Sequence, residues 1–260
     1  MKYGEEQSLV ESSFKKVITK LFGCTHLGER SRHNYLMDGL QFINLPKNAE
    51  VLNAGSANGA HSFYLARRFP GWHITGIDID PEMVKRSLKI NELLRFKNVD
   101  FFQKDIGALE ERDRFDLVFS ISVMQFIQDQ ERAFSSLYNV LKPHGYLILN
   151  VPSLPRPPRL SFLGKERERF HQSEVLSTKT YDNNELSLLV AKAGFKILKL
   201  YNPSGLYAQL AWELSSILEG KEKRRLLFYP FLLFLIYLDK LQKNEKPFPA
   251  GTDCLVIAQK

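Results

Sequence analysis

Short apolar runs alternate with helical patterns through the middle of the chain. The apolar runs are as long as strands, and the stretches between them place apolar residues three or four positions apart, as one buried face of a helix does. Five runs share the strand pattern: Glu50–Ala54, Trp72–Asp78, Val99–Phe102, Phe115–Ser120 and Tyr146–Val151. Strands that alternate with helices at this spacing predict an α/β fold with a parallel, doubly wound sheet.

The helical patterns have recognisable ends. Asp80 is an N-cap candidate, and Pro81 can begin a helix that runs to about Phe96. His61–Phe69 follows the first strand, and Gln130–Leu141 is closed by a turn that contains proline and glycine. Each helix therefore lies between two strand candidates, as a crossover in a parallel sheet requires.

The first 49 residues precede the first strand and predict a helical N-terminal cap. Ser8–Phe22 can form an amphipathic helix, and Ser31–Ile43 looks like a second helix. Arg30, Arg32 and His33 stand at the start of the second helix. We expect them to form a solvated helix start, and the alternative is contact with an anionic group.

Small and turn-forming residues separate the first strand from its helix, in the order Gly55-Ser56-Ala57-Asn58-Gly59. Strand, glycine turn and helix in this order place backbone N–H groups and a helix N-terminus at the C-terminal edge of a sheet. Glycine permits unusual dihedrals and the close approach of a ligand. Taken alone, the stretch could also be an ordinary strand–helix turn with two glycines.

A carboxylate in register with this loop favours a nucleotide site. Asp78 ends the second strand roughly 20 residues after the loop, where a nucleotide-binding βαβ unit keeps an acid for the ribose hydroxyls. The ribose diol offers two adjacent donors, and one carboxylate can accept both. The two features together predict a nucleotide-binding site at the C-terminal edge of the sheet.

The composition is that of a globular protein with a substantial core. The 260 residues are 44% hydrophobic and 25% charged, which fits one large domain or one domain with an elaborated cap. Cys24 and Cys254 give neither a disulfide framework nor a metal spacing, so we expect a cytoplasmic location and no metal. Met1–Lys20 lacks the apolar core of a secretory signal. The net charge of +7 allows nucleic acid, acidic membranes or anionic substrates without choosing among them.

Five short motifs follow one another along residues 48–152. They are Val51–Gly59, Gly76–Met83, Asp105, Phe115–Val118 and Leu141–Gly145. In this order they resemble the landmarks of the class I S-adenosylmethionine-dependent methyltransferases. A looser likeness continues through Tyr181–Leu200, and Asp253–Gln259 would be the family's seventh strand. The resemblance implies a Rossmann-like sheet of seven strands, with the last strand antiparallel.

The resemblance also implies cofactor-binding roles for residues at the strand ends. The glycine loop would hold the methionyl and ribose end of S-adenosylmethionine, Asp78 would bind the ribose hydroxyls, and Ile79 would flank the adenine. Asp105 would accept from the adenine amino group, and Ser120 would lie beside the transferred methyl group. The full implied set is Asn53, Gly55, Ser56, Ala57, Asn58, Gly59, Asp78, Ile79, Asp105, Ile106 and Ser120.

Three positions depart from the family pattern. Asn53 stands where the family usually has an acid, so support of the cofactor's ammonium group would be weaker. Ala57 stands where glycine is preferred, which adds only a methyl group unless the residue needs a positive φ. His144 also replaces a glycine, in a turn distant from the site, and we expect it to be structural. A nicotinamide dehydrogenase fits less well, because it accounts for neither Asp105 nor the final strand.

Methyl transfer requires little acid–base chemistry. It is an in-line displacement on a sulfonium carbon with S-adenosylhomocysteine as the leaving thioether, so alignment of the nucleophile can supply most of the rate. Many relatives place a histidine shortly after the fourth strand, and Ser122–Ile127 contains none. His171 and Tyr181 could orient a substrate, but we expect surface or packing roles and assign no catalytic base.

Two insertions are expected to determine the acceptor. Pro152–Lys179 begins with a proline-rich turn and is typical of a lid or a disordered segment. Residues 202–251 predict a mostly helical cap, inserted into a core of residues 50–201 and 252–260. Within it, Leu226–Leu238 is apolar on all sides but too short for a transmembrane helix, which needs about 20 apolar residues. We expect burial in the cap or in an oligomer, and the alternative is a membrane interface.

The sequence therefore predicts an S-adenosylmethionine-dependent methyltransferase that acts on a small-molecule acceptor or on a lipid- or glycan-linked one. Its expected place is the cytoplasm or the membrane surface. A protein that binds the cofactor without catalysis is the alternative, favoured by Asn53 and by the missing histidine. Methylation of nucleic acid is supported only by the charge, because no basic patch with interleaved aromatic residues appears.

Overall fold

A seven-stranded mixed sheet forms the centre of the computed structural model, which describes residues 7, 26–153, 179–218, 222–242 and 253–260. The strands are β1 Glu50–Ala54, β2 His73–Asp78, β3 Val99–Gln103, β4 Phe115–Ile121, β5 Leu141–Pro152, β6 Lys196–Tyr201 and β7 Asp253–Gln259. Their order in the sheet is β3-β2-β1-β4-β5-β7-β6, and β7 is antiparallel to both neighbours. The predicted Rossmann-like sheet with an antiparallel last strand is confirmed.

Seven α-helices accompany the strands in the described ranges. They are α1 Leu27–Leu40, α2 Ala60–Arg68, α3 Pro81–Leu94, α4 Gln130–Val140, α5 Asn183–Lys192, α6 Leu206–Ile217 and α7 Glu222–Gln242. Asp80 caps α3 as predicted, because its Oδ1 accepts the N–H of Glu82 at 2.8 Å and Pro81 takes the first helical position. The helix predicted for Ser8–Phe22 lies outside the described residues.

Apolar side chains cover both faces of the sheet, as parallel strands require. On one face, α1, α2 and α3 pack through Leu36, Phe63 and Ile90. On the other face, α4 and α5 contribute Phe134 and Val190. None of these five side chains is more than 2% exposed. With both faces sealed, the ends of the strands are the part of the sheet where a ligand can enter.

The two helices between β6 and β7 form a hairpin that packs against α1. Leu27 of α1 and Tyr229 of α7 belong to the same apolar cluster. Asp239 of α7 caps α6, because its Oδ2 accepts the N–H of Gly205 at 3.0 Å and its Oδ1 accepts that of Ala208 at 3.1 Å. A carboxylate at the first turn satisfies N–H groups that have no partner within the helix. The division into core and cap at residues 202 and 251 stays a prediction.

Helix α7 is apolar on two sides, and one of them is uncovered. Tyr229 and Leu232 pack inward and are 1% exposed. The exposed face of α7 consists of six large side chains that are at least half exposed: Leu227, Phe228, Phe231, Phe234, Tyr237 and Leu241. The predicted burial of the apolar run therefore holds for the side of α7 that faces α1 and α6, whereas the opposite side is exposed. Among the described residues, no helix has the length and hydropathy needed to cross a membrane.

His144 lies within the first part of β5, far from the carboxyl ends of the strands, because β5 begins at Leu141 and includes the residues that the sequence predicts as a turn. Its φ is +64°, in the left-handed region that favours glycine. Its N–H donates to the carbonyl of Lys260 at 3.1 Å, and its own carbonyl accepts from Gln259 Nε2 at 3.1 Å. The residue therefore joins the start of β5 to the end of β7, which is a structural role, as the sequence predicts.

Candidate active site

Two glycines with positive φ shape the loop between β1 and α2. Gly55 has φ +82° and Gly59 has φ +78°. The N–H groups of Gly55 and Ser56 donate to the carbonyl of Ile77 in β2 at 2.9 and 2.7 Å, which fastens the loop to the neighbouring strand. A Cβ on Gly55 would lie 2.7 Å from Cγ1 of Val123 and closer still to its Cγ2. Only glycine combines this φ with this close approach.

Asp78 ends β2 with its carboxylate against the loop. Its Oδ2 accepts the N–H of Ala57 at 2.7 Å, and its Oδ1 accepts the N–H of Asp80 at 3.0 Å. A carboxylate oxygen can accept two hydrogen bonds, so each oxygen retains a lone pair for a ligand. The half-buried group can therefore receive both hydroxyls of a ribose while it supports the loop.

Ile79 and Asp105 extend the site along the ends of β2 and β3. The side chain of Ile79 is 69% exposed although it directly follows a buried strand. Asp105 is exposed as well, its Oδ1 accepts the N–H of Gly107 at 2.8 Å, and Ile106 beside it is buried. An apolar surface near a fixed acceptor suits a flat ring with an amino group on its edge.

Asn53 and Ser120 support the strand ends beneath the loop. Asn53 is 2% exposed, and its Nδ2 donates to Ser62 Oγ at 2.9 Å. Ser120 is fully buried, and its Oγ donates to the carbonyl of Ala54 at 3.0 Å. Both side chains thus have partners within the chain, and their direct contact with a cofactor stays a prediction.

The middle of the loop contains one orphaned hydroxyl and one strained residue. The hydroxyl of Ser56 is buried and makes no hydrogen bond in the described part of the chain, which is unusual unless a ligand completes it. Asn58 Oδ1 accepts the N–H of Ala60 at 3.3 Å, at the start of α2. Ala57 has φ +44°. Its methyl group is therefore not harmless, and it costs about 1–2 kcal/mol in this conformation.

Tyr181 fixes the segment that follows β4 through hydrogen bonds of its hydroxyl group. It is fully buried, its hydroxyl donates to the carbonyl of Met124 at 3.2 Å, and it also bonds Gln130. Burial raises the pKa of Tyr181 to about 12, so the phenol is protonated at neutral pH. Tyr181 is a packing residue, in agreement with the sequence-based expectation. His171 lies outside the described residues.

Three contacts at the site carry no signal in the local sequence. Val123 covers Gly55, Ser62 fixes Asn53, and Gln7 donates to the carbonyl of Asn58 through its Nε2 at 3.2 Å. Gln7 lies before β1, Ser62 lies in α2 and Val123 lies after β4. No sequence motif links these residues to the glycine loop, so only the folded chain shows the contacts.

The fold and this arrangement define a class of Rossmann-like proteins that bind nucleotide ligands at the carboxyl ends of parallel strands. A family model described as a methyltransferase domain matches residues 45–204. The match covers more than half of the chain, and the chain belongs to this family. The resemblance to the class I S-adenosylmethionine-dependent methyltransferases is confirmed.

Relatives of the chain are methyltransferases with different acceptors in their names. The chain is 33% identical to malonyl-[acyl-carrier protein] O-methyltransferase 1 of Ilyobacter polytropus and 30% identical to trans-aconitate 2-methyltransferase of Deinococcus radiodurans, over 105 residues in each case. Each alignment covers 40% of this chain and 38% of the relative, so the chain spans about two fifths of their length.

A solved structure resembles the chain over a longer stretch. It is phosphoethanolamine N-methyltransferase 2 of Haemonchus contortus in complex with S-adenosylmethionine, with a TM-score of 0.64 and 20% identity. The superposition covers 87% of this chain and 52% of that one. At this identity the likeness shows the fold alone.

Proposed function

We propose that this chain is an S-adenosylmethionine-dependent methyltransferase that acts on a small-molecule, lipid-linked or glycan-linked acceptor. The observation that carries the proposal is the arrangement at the carboxyl ends of β1, β2 and β3. There the glycine loop, the carboxylate of Asp78, the exposed Ile79 and the acceptor of Asp105 follow the order of methionyl, ribose and adenine groups. The orphaned hydroxyl of Ser56 adds a buried polar group for the same ligand.

When bound, S-adenosylmethionine supplies an electrophilic methyl group, and the work of the chain is to bind and align. Asp78 fixes the ribose and, through the N–H of Ala57, holds the loop in place. The side chain of Val123 packs against Gly55 of the loop, and the hydroxyl of Tyr181 donates to the neighbouring carbonyl of Met124. Alignment of the acceptor with the methyl group can lower the barrier by several kcal/mol, roughly 7–11 in well-oriented systems.

The test of the cofactor site is Asp78→Ala. This change removes charge-assisted hydrogen bonds worth about 1.5–3 kcal/mol each, so the affinity for S-adenosylmethionine should fall at least about tenfold. Calorimetric titration measures the affinity. The control is Asp100→Ala on β3, where an exposed carboxylate pairs with His73 at 3.0 Å. Unchanged affinity in folded Asp78→Ala would place the nucleotide site elsewhere.

Catalysis is tested separately from binding. The protein is incubated with S-adenosylmethionine and a panel of carboxylate, phosphate and lipid-linked acceptors, and mass spectrometry follows the products. A gain of one methyl group in an acceptor supports the enzyme. Tight cofactor binding without any product across the panel would favour a protein that binds the cofactor without catalysis.

The exposed face of α7 supports a peripheral contact with an anionic membrane. This face is made of leucine and aromatic side chains, and four basic residues precede it in the sequence: Lys221, Lys223, Arg224 and Arg225. Apolar helix faces with basic flanking residues are one type of membrane-interface helix, and each basic residue near an anionic surface contributes about 1 kcal/mol. Such a contact would bring the site close to a lipid-linked acceptor.

Sedimentation with anionic liposomes at low and high salt tests this contact. Binding should weaken with salt and with Phe231→Glu, which places a charge in the middle of the exposed face. The matched control is Leu188→Glu, because Leu188 is 71% exposed on α5, away from that face. If the wild-type protein stays in the supernatant at low salt, the exposed face of α7 does not contact membranes. The same conclusion follows if Phe231→Glu binds the liposomes as strongly as Leu188→Glu does.

A further inference from the structure

The chain turns sharply where β4 ends. Ser122 is the first residue after β4 and has φ +56°, in the left-handed region that residues other than glycine rarely adopt. Its N–H donates to the carbonyl of Asn150 in β5 at 2.8 Å, and its Oγ donates to Oδ1 of the same residue at 3.1 Å. Two hydrogen bonds to one residue therefore hold Ser122 in a strained conformation, and strain of this kind is concentrated at functional sites.

Asn150 is fixed on its other side by β7. It is fully buried and pairs in register with Ile121 of β4. Its Nδ2 donates to the carbonyl of Cys254 at 3.2 Å and to Oδ1 of Asp253 at 3.4 Å. The amide therefore uses both its acceptor and its donor, and a buried polar group that is satisfied in this way is rigid. Asn150 thus ties the turn after β4 to the start of β7.

The turn determines the position of Val123. This residue follows Ser122, and its methyl groups fill the space next to Gly55, where a Cβ would lie 2.7 Å from Val123 Cγ1. Its carbonyl accepts the N–H of Phe126 at 2.9 Å, at the start of a short 3-10 turn. A different backbone conformation at Ser122 would direct the next side chain elsewhere, so Ser122 decides whether Val123 contacts the glycine loop.

The order of the strands separates this contact from the adenosyl end. In the sheet, β1 lies between β2 and β4. Asp78 at the end of β2 contacts the loop at Ala57, on the side of the proposed ribose and adenine site. Val123 contacts the loop at Gly55, from the side of β4. The support that comes from β4 and β5 should therefore act on the methionyl part of the cofactor and leave the adenosyl part unaffected.

We propose that Asn150 and Ser122 are positioning residues for methyl transfer, because they hold Val123 against Gly55 and thereby fix the methionyl part of the bound cofactor. This proposal rests on the methyltransferase function proposed above. The transferred methyl group is carried by the sulfonium that joins the methionyl part to the adenosyl part. A displaced methionyl part would move that methyl group out of line with the acceptor, and the alignment supplies the rate.

Adenosine and S-adenosylmethionine are the two probes, because adenosine lacks the methionyl part. Calorimetric titration measures both affinities in the wild-type protein, in Ser122→Ala and in Asn150→Ala. Each change removes the side-chain hydrogen bond between the two residues. The ratio of S-adenosylmethionine affinity to adenosine affinity should fall about threefold to tenfold, as expected for the loss of one neutral hydrogen bond. The affinity for adenosine itself should stay unchanged.

Ser187→Ala and Asn98→Ala are the matched controls. Ser187 is a half-buried serine of α5, and its Oγ donates to the carbonyl of Asn183 at 2.8 Å. Asn98 precedes β3, and its Nδ2 donates to the carbonyl of Trp72 at 2.9 Å. Both changes remove a hydrogen bond away from the turn after β4, so the affinity ratio should keep its wild-type value. Chemical denaturation of Asn98→Ala should show a loss of stability without a change in this ratio.

The combined variant gives a second measurement that a general loss of stability would not produce. If both residues act through the same hydrogen bond, Ser122→Ala together with Asn150→Ala should lower the ratio no further than the more harmful single change. Losses that add would mean that the residues act separately, against the proposal. If Asn150→Ala does not fold, the half-buried Ser122 decides alone through Ser122→Ala.

The two probes also separate the remaining outcomes. An unchanged affinity ratio in folded Ser122→Ala would mean that the turn does not position the methionyl part. An equal fall in both affinities would mean that the turn supports the whole site without distinguishing its two parts. Either result overturns the proposal. Failure of the wild-type protein to bind either probe would instead refute the proposed function.

Discussion

The adenosyl end of the proposed site is built from turns, whereas the region between α1, α2 and the α6–α7 hairpin is built from helix surfaces. At the adenosyl end, Asp78 and Asp105 follow directly on β2 and β3 and accept hydrogen bonds from backbone N–H groups. In the second region, His33 of α1 packs against His61 and Tyr64 of α2, and Leu27 of α1 packs with Tyr229 of α7. Backbone geometry therefore determines the first region, and the packing of distant elements determines the second.

This difference separates cofactor affinity from the stability of the cap. A turn needs particular dihedrals, and few residues share them, so substitutions there should act on cofactor binding. A helix surface tolerates substitutions that keep its burial and its capping. Substitutions in the α6–α7 hairpin should therefore change the free energy of unfolding and leave cofactor affinity unchanged.

The largest effect at the adenosyl end is expected for Gly55→Ala. A Cβ at this position would overlap Val123, and the residue would keep its φ of +82°. We expect a loss of about 2–4 kcal/mol in the free energy of unfolding and at least tenfold weaker binding of S-adenosylmethionine. Chemical denaturation and calorimetry measure the two quantities.

Gly28→Ala is the control for this change. A Cβ there would lie no closer than 3.5 Å to neighbouring atoms, and the residue stands in the first turn of α1. Alanine is the better helix former, so its stability should be equal or slightly higher. Wild-type cofactor affinity in Gly55→Ala would show that the loop geometry does not determine binding.

A smaller effect, confined to stability, is expected for Asp239→Ala in the cap. The N–H groups of Gly205 and Ala208 would lose a buried acceptor, which costs about 2–3 kcal/mol. Thermal or chemical denaturation should show this loss, while calorimetry shows unchanged cofactor affinity. Asp182→Ala is the control, because Asp182 is an exposed N-cap of α5 and its removal costs about 1 kcal/mol. A parallel loss of cofactor affinity in Asp239→Ala would contradict the separation of the two regions.

The smallest effect, and a gain, is expected for Ala57→Gly. Relief of the positive φ gives about 1–2 kcal/mol, and the greater freedom of glycine in the unfolded chain removes about 0.5–1 kcal/mol of it. The net stabilisation of about 0.5 kcal/mol is measurable by denaturant titration. Ala66→Gly in α2 is the control, where the same exchange should destabilise the protein by about 1 kcal/mol. Destabilisation by both changes would mean that Ala57 is not strained.

The strands and the adenosyl end could be predicted from the sequence because their signals are local. Each core strand is an apolar run, and Asp78 stands at a fixed spacing after the glycine loop. The position of Ala57 was predicted as well, but its positive φ was not, because the sequence shows a departure from glycine without showing the backbone. The same holds for Asn53, whose partner Ser62 becomes visible only when α2 folds back on β1.

The packing between α1, α2 and the hairpin could not be predicted in the same way because its contacts are long-range. His33 follows Arg30 and Arg32 in the sequence and is expected to be exposed, yet it is buried against His61 and Tyr64 of α2. The apolar run of α7 reads as uniform, and only the packing of Tyr229 against α1 decides which side is buried. Local composition contains no information about which face of a helix meets its neighbour.

The α6–α7 hairpin connects β6 and β7, which are paired neighbours in the sheet. Tyr201 of β6 and Leu255 of β7 are paired in antiparallel register, so the chain leaves and re-enters the sheet at adjacent points. A short turn could join the same two strands without disturbing any other pairing. The segment between them is thus an exchangeable module: it can be lengthened, shortened or replaced while the cofactor-binding edge stays intact. On the proposed function, a change in this one continuous stretch would alter the cap and leave the strands that hold the cofactor paired as they are.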